Sequence, residues 1–307
     1  MKRKIIKQAN QAYTITLPIN WIRENNLSQN SELDITQNGK SLIVNTDEKH
    51  FGGSAKIDIS NLPSSTGAIY IRIAALYAKG VDEITITSNK DRTKEIIEIV
   101  SSLLGLALVS QDKDKNYIIK DVSGTNYHNL DEIFKRTFQI LLSFYESAIE
   151  DIFGASSEKL EDLKARDIEV NKFCLYLQRT INKNSYSGEI NGRIVFTYSF
   201  ELEKIGDEIS KLWKTNIESK TKKPEKLKEI AEITKKLLEY SFDLYHQNTY
   251  NSKLVDEIFK LKFKLRDLAQ KLFKTNKESL NFSRHLIKIA EDSTDLIHLT
   301  LMRNISL

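Results

Sequence analysis

One segment of this chain occurs twice, and the recurrence limits what the second half can fold into. Leu202-Glu203-Lys204-Ile205-Gly206-Asp207-Glu208-Ile209 returns 84 residues later as Leu286-Ile287-Lys288-Ile289-Ala290-Glu291-Asp292-Ser293. A long repeated unit signals a repeated structural module. From about Leu130 the pattern is helical throughout. No glycine follows Gly206, and the last stretch is rich in Lys, Leu, Glu and Ile, which favour helix. The periodicity predicts helices over 130–153, 157–183, 190–220, 225–249, 252–275 and 279–303, with breaks at 184–188 and 220–224. The recurring segment falls on the third helix of each set of three. A mainly α architecture follows, with tandem antiparallel three-helix bundles over residues 127–220 and 224–304.

Two smaller units precede the bundles. In residues 1–47, Tyr13-Thr14-Ile15-Thr16-Leu17 alternates until Pro18, and a short helix suits residues 20–25. Residues 31–36 alternate again, Asn38-Gly39 signals a hairpin, and residues 41–44 form the return strand. Residues 55–122 read as a small α/β unit. Its expected strands are 56–59, 83–87 and 117–120, and its expected helices are 68–78 and 92–104. Gly80 and Gly105 sit where helices should stop.

Composition bounds the compartment. Of 307 residues, 40% are hydrophobic and 29% charged, as in soluble globular chains. No apolar run reaches the roughly 18 residues of a membrane span. The basic start lacks a long apolar region and a small-residue cleavage site, so a secretory signal is not expected. Cys174 is the only cysteine, which excludes an intrachain disulfide and a thiolate-rich zinc site. A cytoplasmic protein is expected. The net charge of +4 is too small to mark the whole chain as a nucleic-acid binder, so any DNA contact must come from a local patch.

The carboxylates pose the chemical question. Val195, Tyr198, Leu202, Ile205, Ile209 and Leu212 form a heptad-like seam. At about 100° per residue, Glu203 and Asp207 lie far from it, on the side of Phe196 and Phe200. The preceding helix has a seam of Leu160, Leu163, Asp167, Val170, Cys174, Leu177 and Ile181, with Asn171 four residues after Asp167. A carboxylate in an apolar slot is costly unless paired or bound to metal. Oxygen ligands at i, i+4 spacing on neighbouring helices can chelate a cation. Mid-helix Gly206, which costs about 1 kcal/mol relative to alanine, would then mark close helix approach or room for a ligand. The plainer alternative is a solvated acidic face, with Asp167 setting register and Cys174 in the core. The second copy replaces Glu203 with Ile287 and keeps Glu291, and Asp256 there is followed by Lys260. An enzyme is not expected. His246, His285 and His298 lack the glutamate three residues earlier that a di-iron bundle needs, and no triad order, P-loop or dinucleotide motif is present.

The segment Leu202-Glu203-Lys204-Ile205-Gly206-Asp207 resembles the signature helix of PhoU-type domains, with their paired Glu/Asp-x-x-x-Asp motifs. Residues 166–173 are similar to the motif on the second helix of those domains, with Asn171 in place of the last carboxylate. The resemblance spans residues 127–304. It implies a regulator of phosphate uptake whose bundle surface binds a metal ion such as iron, zinc or magnesium. In this chain Glu203, Asp207, Asp167 and Asn171 would be ligands in the first repeat, with Glu291 in the second.

The first seven residues hold Lys2, Arg3, Lys4 and Lys7, and Arg23 follows on the short helix. Such a cationic edge can contact DNA phosphates, or simply block edge-to-edge aggregation. The element order around Tyr13–Pro18, Trp21-Ile22, Asn26-Leu27 and residues 32–35 resembles the swapped-hairpin AbrB-like domain, although the glycine usual before the acidic strand is Asn30. That resemblance implies an obligate homodimer that binds DNA through these basic residues. A unit under 50 residues with few apolar side chains also needs a partner to complete its core. An AbrB-like head on a PhoU-like body resembles the phosphate uptake regulators of archaea. The expected function is a dimeric, phosphate-responsive transcriptional regulator without membrane insertion. The alternative is an adaptor that docks a transporter ATPase or sensor kinase and does not bind DNA.

Overall fold

The structure, a computed structural model, describes residues 2–8, 12–38, 41–46, 53–62, 65–123, 130–154, 159–183, 190–218, 223–247 and 251–304. The expected turn residue Gly39, Pro63 and the break at 184–188 fall outside them. The chain divides into two compact units, Met1–His50 and Phe51–Leu307.

The first unit holds two separate hairpins. Strand β1 (Ile6–Gln8) pairs antiparallel with β2 (Ala12–Thr14), and β3 (Asp34–Asn38) pairs antiparallel with β4 (Ser41–Asn45). Between them Pro18, fixed at φ −64°, caps the start of α1 (Ile19–Glu24). Asn30 stands at φ 75°, so the asparagine takes the left-handed conformation that a glycine would take at no cost. Strand β2 is shorter than its alternating sequence predicts, and β3 begins three residues later than expected.

The second unit opens with a two-layer α/β fold. Its sheet runs β5-β6-β8-β7, formed by β5 (Ser54–Asp58), β6 (Glu83–Thr87), β7 (Leu106–Gln111) and β8 (Asn116–Asp121). Strands β5 and β6 are parallel, and the other two pairs are antiparallel. Helices α2 (Thr66–Lys79) and α3 (Thr93–Ser101) cover the face that buries Ile84, Ile86, Tyr117 and Ile119. Gly80, at φ 99°, ends α2 as expected. Strand β7 was not anticipated by the sequence. Its burial fades from Leu106 outward with no alternation, so the period-2 signature of a half-buried strand is missing.

Six long helices follow: α4 (Leu130–Ile152), α5 (Leu160–Lys183), α6 (Ile190–Glu218), α7 (Glu225–His246), α8 (Ser252–Thr275) and α9 (Leu280–Asn304). These match the predicted helices to within a few residues. The expected seam of α6 is buried along its length. Both sets of three share one continuous core. Tyrosine hydroxyls stitch the sets together: Tyr145 donates to the Ala231 carbonyl at 2.7 Å and Tyr198 to the Leu296 carbonyl at 2.9 Å. Between α7 and α9, Thr234 and Ser241 donate to the carbonyls of Leu286 and Ser293, so small side chains bring these helices close.

The α/β layer is fastened to the helical body through α5. Leu175 and Tyr176 of α5 pack against the α/β core. Arg179, fully buried, donates to the carbonyls of Tyr77 and Val81 at the end of α2, and to the carboxylates of Asp82 and Asp121 at 2.8 and 2.7 Å. A cation on the C-terminal carbonyls of a helix also meets the negative end of its dipole. Lys183 shares the two carboxylates, and Asn182 donates to the Ala78 carbonyl. Arg179→Ala would leave the buried end of Asp121 with half its cationic partners. Breaking such a pair costs about 3–5 kcal/mol. Urea unfolding of the variant should show that loss, and Arg179→Lys should recover only part of it, because an ammonium cannot span four acceptors in a fixed fork. An unfolding free energy equal to that of the parent would refute the assignment.

Candidate functional site

Helices α5 and α6 run antiparallel, and they approach tightly at Gly206. A Cβ there would lie 2.9 Å from Val170 Cγ1 and 3.6 Å from Leu141 Cδ1. Gly206 therefore serves close helix approach, and of the two roles expected for it the ligand space is absent. The crossing brings Glu203 and Asp207 on α6 toward Asp167 and Asn171 on α5. All four side chains are half-buried.

Their electrostatics reflect that crowding. Burial, with the Asp207 charge adding to it, pushes the Asp167 carboxyl up to about 6, although Ser210 and Lys211 oppose the rise. Glu203 is also raised, by burial first and then by Asp207 and Asp167. Cys174, fully buried one turn past Asn171, has its thiol raised by burial and by the Glu203 charge. The Oδ1 atoms of Asp167 and Asn171 are closed off from solvent and accept no hydrogen bond. Phe196 and Phe200 stand edge to face on the same helix at 5.4 Å, with Phe200 exposed.

One contributor could not be anticipated. Helix α2 packs on α5 and brings Tyr70 within the field of both Glu203 and Asp167, which raise its phenol beyond the effect of its burial. More than a hundred residues separate Tyr70 from Glu203, and no local pattern in the sequence joins them.

The donor set is all carboxylate and amide oxygen, which suits hard cations such as magnesium or manganese better than zinc. The two unpartnered oxygens fit such a group. Among the described residues, however, no three His, Cys, Asp or Glu side chains are gathered closely enough to hold a metal ion as they stand. In the second repeat, Asp256 and Lys260 pair with each other on the exposed surface at 2.5 Å. Glu291 accepts from Arg266 Nε at 3.0 Å and Nη2 at 2.5 Å, so the chain supplies its counter-charge.

In the first unit Lys2, Arg3, Lys4, Lys7 and Arg23 are all exposed, the first four on or just before β1 and Arg23 in the last turn of α1.

The carboxyl shifts set a pH dependence. Asp167 takes up a proton more readily when folded than at its ordinary value of 3.8. Its contribution to stability is therefore fully present below about 4 and is lost as pH rises through about 6. With chelator present, Asp167→Asn should raise the urea midpoint at pH 7.5 and leave it unchanged at pH 4. Parallel pH profiles for parent and variant would show that Asp167 is not strained.

No protein-family model matches the chain, and no curated protein matches it significantly. Among solved structures it is similar to the phosphate transport system regulatory protein PhoU from Streptococcus pneumoniae. The two are 15% identical with a TM-score of 0.41, over 59% of this chain and 98% of that one.

Proposed function

We propose that this chain is a phosphate-responsive regulator of phosphate uptake, acting in the cytoplasm as a homodimer that binds DNA and a metal ion. The observation that carries the reading is the α5/α6 crossing. Burial and the neighbouring carboxylates raise the proton affinity of Asp167 and Glu203, and the buried Oδ1 atoms of Asp167 and Asn171 have no partner, on a motif that resembles PhoU-type domains. Glu203, Asp207 and Asp167 would hold a cation, with the Asn171 carbonyl oxygen as a neutral ligand. With a cation bound there, phosphate has a concentrated positive charge to join, since a bound ion is often the largest charge in a site. Side-chain rotation at Glu203 and Asp167 must bring the oxygens together first. No helix among the described residues is long and apolar enough to cross a membrane.

The first unit supports the dimer. In this unit Ile5, Ile6, Tyr13, Ile15, Ile19, Ile35 and Leu42 are each more than half exposed. Its two hairpins share no ladder, which leaves strand edges open. A second copy of the same unit would cover these side chains and leave the cationic residues free to meet DNA phosphates. A second reading, an adaptor that docks a transporter ATPase or sensor kinase, draws on the exposed Phe200 beside the acidic face.

Full chain purified without chelator should carry about one equivalent of divalent metal by elemental analysis, and the Glu203→Ala, Asp207→Ala double variant should carry none. A metal-free parent protein would remove the cation from the proposal. Light scattering should give the mass of a dimer, with Leu42→Glu giving a monomer. Gel shifts with promoter DNA should weaken as salt rises, and more steeply for the parent than for Lys4→Ala with Lys7→Ala, since removing one lysine–phosphate pair lowers the salt slope by about 1. Absence of any shift at low salt would favour the adaptor.

A further inference from the structure

The two repeats can be superposed position by position. On the third helices the recurring segment equates Leu202, Ile205, Gly206, Asp207 and Ser210 with Leu286, Ile289, Ala290, Glu291 and Thr294. On the second helices the buried positions fix the register: Leu163, Val170, Cys174 and Leu177 in α5 have the same spacing as Ile258, Leu265, Ala269 and Leu272 in α8. Contacts across each helix pair agree with it. Asp167 lies beside Ser210, and Lys262 Nζ donates to Thr294 Oγ1 at 2.7 Å. Asp167 therefore corresponds to Lys262, and Asn171 to Arg266. This register differs from the one the sequence suggested, which compared Asp256 and Lys260.

With the register set, the charges invert. In the first repeat Asp167 faces the field of Lys211, whereas in the second Lys262 faces Asp295 at 3.8 Å. Glu291 is held by Arg266, while its counterpart Asp207 has an asparagine at the equivalent place. Glu203, the extra carboxylate of the first repeat, has the uncharged Ile287 as its counterpart. The second repeat thus carries a guanidinium where the first carries an acidic surplus and an unpartnered amide oxygen.

We infer that Lys262 and Arg266 are counter-cations built into the second repeat, which close that face to a free cation and restrict cation uptake to the first. The inference rests on the cation reading of the first repeat. Lys262 and Arg266 act as specificity-determining residues: they decide which of two related faces accepts an ion from solution. They also mark where positive charge belongs on the first face, beside Asp207 and Asn171.

The test exchanges the two faces in full-length protein, with manganese(II) as probe. Asn171→Arg should lower the bound ion from about one per chain to none. In chelator at pH 7.5 it should raise the thermal midpoint by roughly 2–4 °C, because the tethered charge meets the acidic surplus. Lys262→Asp and Arg266→Asn together with Ile287→Glu should raise bound manganese from one to two per chain. The inference is overturned if Asn171→Arg keeps its ion and lowers the midpoint, or if the triple variant gains no ion although the parent binds one. If the parent binds no manganese, the cation reading of the first repeat fails and the inference falls with it; if the parent binds one ion and the triple variant gains none, the inference alone fails.

Discussion

A single buried guanidinium determines what surrounds the acidic face. Arg179 gathers the end of α2, the β8 carboxylate of Asp121 and the loop carboxylate of Asp82 onto α5. It acts there together with the Leu175 and Tyr176 contacts and the neighbouring Lys183 and Asn182. With it, α2 is fixed over the helix that carries Asp167 and Asn171, and Tyr70 enters the field of the carboxylates. The middle unit is therefore part of the surroundings of the candidate site. Two carboxylates share two cations in this network, an arrangement whose strength comes from having every partner in place.

Close packing and charge crowding have one origin at the α5/α6 crossing. A glycine removes the spacer between the helices, and Val170 fills the vacated room. The acids on either side are then brought nearer than solvent can fully screen, and burial dominates their shifts. Backbone tightness and proton affinity are coupled, so a change that loosens the crossing also relaxes the carboxylates.

Much of this was legible in the sequence where one face of an element must be apolar. The six long helices were, because a 3.6-residue period over more than twenty residues is hard to mistake, and so was Gly80 as a helix stop. The seam position of Asp167 signalled a misplaced charge, and the structure gives that charge a raised proton affinity. Strand β7 escaped because its burial does not alternate. The network around Arg179 escaped because its partners come from positions 58 to 102 residues away, and an arginine within a helix looks like any solvated residue until the other surface is known. The register of the second repeat was missed for a related reason. Lys262 and Arg266 carry the wrong sign to be found by a search for acids.

The exchange of Asp167 and Lys211 for Lys262 and Asp295 also bears on how two such repeats could come from one ancestor. No single substitution converts one pair into the other. Changing either residue alone gives two ammonium groups or two carboxylates facing each other across a helix pair, which is unfavourable for both partners. Only a path through an uncharged residue at one of the two positions avoids that repulsion. The two faces are therefore separated by a barrier in sequence space, and once established each would tend to keep its own sign.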